Sequence, residues 1–230
     1  MNISNKLIWV FIFVGSLIFL SFIRDTKSKN KRVIFFGDSI TQAGIDSNGY
    51  ITVMKQMLAQ QGISNYDLVG AGIGGNKVYD LYLRMQTDVI QQSPDIVVIW
   101  IGVNDVWHKS MFGTGTDADK FEKFYRAIIK ELQDNNIKVV LVTPTTIGEK
   151  NDYSNSQDGD LNKYSQIIRN IAKDSHLPLV DLHAVFHTYE VNNNTANVEK
   201  GILTKDGVHL NDEGNKLAAS EIWKVLKDVQ

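Results

Sequence analysis

The run Ile96-Val97-Val98-Ile99-Trp100-Ile101 constrains this chain more than any other: six large apolar side chains in an unbroken row, five of them β-branched. A strand with one wet face alternates apolar and polar residues; a run without alternation is buried on both faces and needs helices on both sides. Arg32-Val33-Ile34-Phe35-Phe36 and Lys138-Val139-Val140-Leu141-Val142 repeat the pattern. Tyr66-Asp67-Leu68-Val69 and Leu179-Val180-Asp181-Leu182 read as shorter strands. Helical spacing of apolar residues predicts helices over 50–60, 78–91, 121–133, 161–173 and 213–227. Five strands separated by helices point to a doubly wound, flavodoxin-like α/β fold, three layers built on a parallel sheet of about five strands. Sites in such sheets form beyond the carboxyl ends of the strands.

Residues 7–23 form an apolar run of 17 residues without charge, interrupted only by Gly15, Ser16 and Ser21. Its length is at the lower limit for spanning a bilayer. Residues 1–23 are therefore expected to be a membrane anchor or signal segment, 24–31 a polar linker, and 32–230 a single catalytic-sized domain with a full core. Export is the expected destination, although Arg24, Lys27, Lys29, Lys31 and Arg32 after the run outnumber Lys6 before it and disfavour that orientation. A formal net charge of −2 gives no footprint for nucleic acid. The absence of cysteine excludes disulfides, thiolate metal sites and a Cys nucleophile.

The polar residues collect in the loops after the strands. Gly37-Asp38-Ser39 follows the first, Gly70-Ala71-Gly72-Ile73-Gly74-Gly75-Asn76 the second, and Gly102-Val103-Asn104-Asp105 the third. Asp206-Gly207-Val208-His209 arrives about 170 residues after Ser39. A serine needs an adjacent base to become a nucleophile at neutral pH, and the base needs a group that fixes its tautomer. Ser39, His209 and Asp206 are the residue types for those three tasks.

With these four blocks in this order, residues 32–227 resemble the SGNH, or GDSL, hydrolase superfamily. The resemblance implies that Ser39 is the nucleophile, His209 the general base and Asp206 the acid that orients it. It also implies an oxyanion hole made of the Ser39 backbone N–H, the Gly75 backbone N–H and the Asn104 side-chain amide. Preorganised donors of this kind are worth roughly 10²–10³ in rate each. Two departures stand out: many members have Asn where this chain has Gly70, and Asp-Thr where Asn76-Lys77 follows Gly75. Gly75 is assigned over Gly74 and Gly72 by alignment alone. Asp38, Trp107 and His108 are expected to border the substrate, with a loop-holding role ranked first for Asp38. The polar loop 145–160 is expected to cover one side of the cleft.

Several rival readings are weaker. Ser39 is also a good helix cap, and Asn104 a good turn residue. Gly70-x-Gly72-x-x-Gly75 fits a dinucleotide fingerprint literally, but that fingerprint opens the first βα unit with an acidic residue about 20 positions on at the end of the next strand; here a different βα turn comes first and the next strand ends near Gly102, more than 25 residues on. His183 and His187 have helical spacing for a shared metal, with no third ligand evident; a solvated helix is preferred. Asn193-Asn194-Thr195 is a formal glycosylation sequon with no supporting context. The expectation is a serine esterase acting on an oxygen ester, with no metal or organic cofactor. The substrate is a small-molecule or glycan ester, such as a carbohydrate O-acetyl group. A lysophospholipase- or thioesterase-type lipid hydrolase, an acyltransferase on the same triad and a non-catalytic binding module are the alternatives. Membrane contact is expected only through the N-terminal segment, and the oligomeric state is left open.

Overall fold

The computed structural model describes residues 30–229, so the expected anchor over 1–23 and nearly all of the 24–31 linker lie outside the described residues. Five parallel strands, β1 (Lys31–Gly37), β2 (Tyr66–Gly72), β3 (Ile96–Trp100), β4 (Lys138–Val142) and β5 (Leu179–Val180), form one sheet in the order β2-β1-β3-β4-β5. The chain therefore reverses direction across the sheet after β2. Right-handed crossovers then place the helix of the first unit on one face and those of the later units on the other.

That is what is observed. Helix α2 (Tyr50–Gln60) packs with α8 (Asp212–Leu226) on one side; α3 (Val78–Asp88), α5 (Ala118–Asp134) and α6 (Asp158–Asp174) pack in sequence on the other. Each helix buries one stripe. In α5 it is Phe121, Tyr125, Ile128, Ile129 and Leu132, at the spacing of a single helical face. Val33, Ile34, Phe35 and Phe36 of β1 are fully enclosed, and burial of such side chains contributes about 1.5–3 kcal/mol each. Tyr50 links the layers, its ring 5.6 Å from Phe35 and 5.1 Å from Trp100, both edge-on.

Three elements differ from expectation. β2 runs on through Gly70, Ala71 and Gly72, because these residues pair with Phe35, Phe36 and Gly37 of β1. Gly72 must be glycine there: a Cβ would lie 2.1 Å from the Gln42 nitrogen. The segment read as a loop after β3 is a helix, α4 (Val103–Phe112). Finally, β5 stops at Val180, since the Asp181 side chain caps α7 (Leu182–Asn193) by accepting from the Ala184 N–H at 3.3 Å. Among the described residues no helix is long and apolar enough to cross a membrane.

The register matters most for the site. Gly37 sits level with Gly72 on one side and Trp100 on the other. The loops leaving β1, β2 and β3 therefore start from one line on the sheet edge, at the point where strand order reverses.

Candidate active site

Asp38 follows β1 and caps the short helix α1 (Ser39–Ala43), its carboxyl accepting from the Ile40 N–H at 3.0 Å. The capping role weighed for Ser39 thus falls to its neighbour, which leaves the Ser39 hydroxyl free to face outward. Asp38 is 2% exposed. It holds the turn, the loop-holding role ranked first for it. Burial pushes its carboxyl up to about 7, against the Ile40 hydrogen bond and the charge of His209.

Asp206 and His209 come from a loop held at several points. The Glu149 carboxylate, fully buried, accepts from the N–H groups of Ile202, Leu203 and Thr204 at 2.6–2.7 Å. Thr204 Oγ1 accepts from Gly207 N at 3.0 Å, Gly148 N donates to Gly207 O at 2.8 Å, and Thr204 bridges to Leu210. Within this frame Asp206 Oδ1 accepts from the amides of Val208 and His209, and Asp206 Oδ2 lies 2.7 Å from His209 Nδ1. Burial works to raise the Asp206 carboxyl, but hydrogen bonds from the His209 ring and from the two amides outweigh it and leave it below the ordinary carboxylate range. A carboxylate at Nδ1 keeps the imidazole proton there, so Nε2 offers its lone pair. Nε2 is 2.9 Å from Ser39 Oγ.

The second loop closes over the serine, with an added Cβ on Gly74 falling 3.9 Å from Ser39 Cβ. Its three glycine amides have different fates. Gly72 lies in the β2 ladder, and Gly74 N donates to Gln42 Oε1 at 2.8 Å. The Gly75 N–H has no acceptor among the described residues, and Gly75 has φ +76°, a conformation that suits glycine. Asn104, buried at the start of α4, gives one amide hydrogen to Asn76 O at 3.1 Å and keeps the other. The first-turn N–H of Ser39 lacks an intrahelical partner by its position.

Sequence reasoning missed the supports of these loops. Arg84, on α3, donates to Gly37 O, Ala71 O and Asn76 Oδ1 at 2.7–2.9 Å, with its guanidinium 4.5 Å from the Phe36 ring centroid. Lys77 donates to Gly75 O at 3.3 Å. Asp105, fully buried, accepts from Val78 N with both oxygens and ties α4 to α3. Burial pushes it up to about 7. Apart from the Lys77–Gly75 contact, these partners lie eight or more residues away, and no local pattern marks them, except that Asp105 belongs to the third block.

Trp107 and His108 are half-buried on α4 beside the pair. The Trp107 ring is 6.1 Å from His209 and 5.8 Å from His108, and a Cβ on Gly75 would meet His108 Cε1 at 3.6 Å. Burial, then the charge of Lys77, holds the His108 imidazole below its ordinary value. A cavity of about 240 Å³ opens against Trp107 and Asp206, with Ile147, Lys150, Asn155 and Gln157 of the 145–160 loop as its far wall. On the other side of His209 a second cleft, about 260 Å³, is bordered by Asp46, Asn48, Lys205 and Asp212. His183 lies apart from the pair, its ring nitrogens 2.6 Å from Thr145 O and 2.8 Å from Asn162 Oδ1.

The arrangement can deliver a hydroxyl to an electrophilic carbon, take its proton, and offer unpaired N–H donors to the charge that develops. Comparison with known proteins agrees. Residues 35–217 match the model of the GDSL-like lipase/acylhydrolase family. An acetylxylan esterase of Geobacillus stearothermophilus is 30% identical over 179 residues, covering 68% of this chain and 78% of that protein. The lipoprotein YqeF of Bacillus subtilis is 29% identical over 223 residues, covering 86% and 88%. The crystal structure of the acetyl xylan esterase AlAXEase superposes with a TM-score of 0.83 and 59% identity, covering 84% of this chain and 98% of that one.

Proposed function

The chain belongs to the GDSL-like lipase/acylhydrolase family and is a serine carboxylic ester hydrolase, and on that premise we propose that Ser39, His209 and Asp206 form its catalytic triad and that its substrate is an O-acetyl ester of a carbohydrate. One observation carries the assignment: the unbroken relay from Ser39 Oγ to His209 Nε2 at 2.9 Å and from His209 Nδ1 to Asp206 Oδ2 at 2.7 Å.

Ser39 Oγ attacks the ester carbonyl while His209 Nε2 takes the hydroxyl proton. The carbonyl oxygen, now negative, accepts from Ser39 N–H, Gly75 N–H and the free Asn104 amide hydrogen. His209 passes its proton to the leaving alcohol, and an acetyl-Ser39 intermediate remains. Water then repeats the sequence with His209 as base and returns free Ser39. Asp206 steadies the imidazolium at both stages. Trp107 and His108 border the reacting ester. The acetylxylan esterases among the relatives support the acetyl and carbohydrate parts of the reading, as do the polar walls of both clefts beside His209.

Residues 32–230 are the hydrolase domain in this reading, with 1–23 an anchor or signal segment that exports it and 24–31 a linker. The lipoprotein among the relatives supports export. Protease added to intact cells should then digest the domain.

Hydrolysis of p-nitrophenyl acetate, butyrate and octanoate, beside Ser39→Ala, tests the chemistry. Turnover should fall with acyl length, and Ser39→Ala and His209→Ala should each lower kcat by about 10⁴ or more. Rising activity with chain length would reject the acetyl reading. Equal activity of Ser39→Ala and the wild type would reject the triad.

A further inference from the structure

We infer that the cavity beneath Tyr153 is a second sugar subsite, holding a further unit of an oligosaccharide whose ester lies at Ser39. It rests on the carbohydrate reading above and extends it. The cavity measures about 280 Å³ and is lined by Thr145, Tyr153, Asp158, Asn162, His187 and Glu190. Lys150 and Asn155 border both this space and the one against Trp107 and Asp206, so the two are neighbours on the same side of Asp206.

Three buried polar atoms of residues lining these spaces lack any hydrogen-bond partner among the described residues: Glu190 Oε1 and Thr145 Oγ1 here, and Gln157 Oε1 in the adjoining space. Glu190 is 3% exposed and Thr145 1%. Each orphaned group is unfavourable until something pairs with it. Protein interiors seldom leave such atoms in neighbouring spaces without a polar partner. A ligand rich in hydroxyls supplies one.

The aromatic at the mouth points the same way. Tyr153 is 82% exposed and, although not glycine, has φ +62°. Such a conformation costs energy and persists only where its surroundings impose it. Here they do: Asp152 accepts from Ser154 N and from Asn197 Nδ2, while Asn197 Oδ1 accepts from Asn151 N. The turn thus presents a flat apolar ring to solvent next to a polar recess, the pair of surfaces that receives the C–H face and the hydroxyls of a pyranose.

The wall carries Lys150 and Asp158, one charge of each sign beside the paired Arg169, which does not select for an anion or a cation. Arg169 is spent on Asp181 in a bidentate pair at 2.7 and 2.9 Å, so it offers no free fork to an anion. Burial, then the charges of Glu149 and Asp158, pushes Glu190 up to about 8, which keeps it protonated and able to donate to a hydroxyl at neutral pH.

The test measures kcat/KM of the full chain on mono-acetylated xylose and mono-acetylated xylotetraose. In the wild type the tetraose should be favoured, and Tyr153→Ala should cut that preference by about fivefold to tenfold, chiefly through KM. Glu190→Leu should cut it likewise, with Glu190→Gln restoring most of it, since the amide still donates. Ser39-dependent turnover of p-nitrophenyl acetate by the wild type reports the triad separately. If that turnover is present but the tetraose holds no advantage, or Tyr153→Ala leaves the advantage intact, the subsite is refuted and the esterase stands. If that turnover is absent, the esterase reading fails first.

Discussion

Glu149→Gln is the perturbation whose effect the structure specifies most closely. The wild-type carboxylate accepts from three buried amides, Oε1 from Leu203 and Thr204 and Oε2 from Ile202. Glutamine keeps a carbonyl for the first two but turns an N–H₂ toward the Ile202 N–H. Two hydrogen bonds lose their charge assistance, at about 1 kcal/mol each. One buried amide is orphaned, at about 1–3 kcal/mol. Relief of the carboxylate's own desolvation offsets part of this, leaving a net loss of about 2–4 kcal/mol. In a domain of this size that lowers Tm by roughly 5–15 °C. The three amides sit immediately before Asp206, so the loop carrying the acid and base loosens as well. Kcat on p-nitrophenyl acetate, measured well below Tm, should fall at least tenfold with KM little changed. Calorimetry and initial rates on the same preparation check both numbers. A Tm within 2 °C of wild type would refute the energetic reasoning. A large Tm loss with full kcat in the folded enzyme would refute the positioning role.

Three further outcomes are expected. Asn104→Ala should lower kcat by about 10²–10³ with little change in KM if, as proposed, its amide meets charge that exists only in the transition state; steady-state kinetics on p-nitrophenyl acetate decide this. Arg84→Met should destabilise by about 1–3 kcal/mol in urea melts, since Ala71 O and Asn76 Oδ1 lose their Arg84 donor while Gly37 O keeps the Ile73 N–H and much of the contact with Phe36 remains. Stability should also depend on pH through Asp105. Burial pushes that group up to about 7, against about 4 in the unfolded chain. Between those values the folded chain keeps a proton that the unfolded chain releases. Its contribution is therefore fully present below about pH 4 and is lost as pH rises through about 7, by up to about 1.4 kcal/mol per unit. Urea melts at pH 5, 6 and 7 should show a shallower decline for Asp105→Asn; Asp38 and Glu190, raised in the same direction, keep it from being flat.

The architecture was legible in the chain wherever burial writes its own pattern. β1, β3 and β4 are unbroken apolar runs, and α2 begins and ends where its periodicity does. The order of the functional blocks could be read too, since each follows a strand. What could not be read depends on distant partners. Gly70-Ala71-Gly72 has the local signature of a turn and becomes strand only by pairing with Phe35-Phe36-Gly37. Helix α4 hides because its first turn buries Asn104 and Asp105, which interrupts the apolar stripe. Glu149 sits in a loop full of ordinary polar residues, and its three partners are more than fifty positions away. Which of Gly72, Gly74 and Gly75 keeps a free amide is decided by Gln42, a residue no motif includes.

The contact between Ser39 and His209 spans 170 residues, and it also sets an order in time. Every strand of the sheet precedes Asp206 in the chain. A folding molecule can therefore complete its sheet, and seat Ser39 at the edge, while the loop pinned by Glu149 is still undocked. With the triad proposed above, the serine in that state has no base and the protein is inert. Ester hydrolysis during refolding thus follows the docking of this last loop, and its recovery dates the completion of the native state more sharply than any measure of helix or strand content.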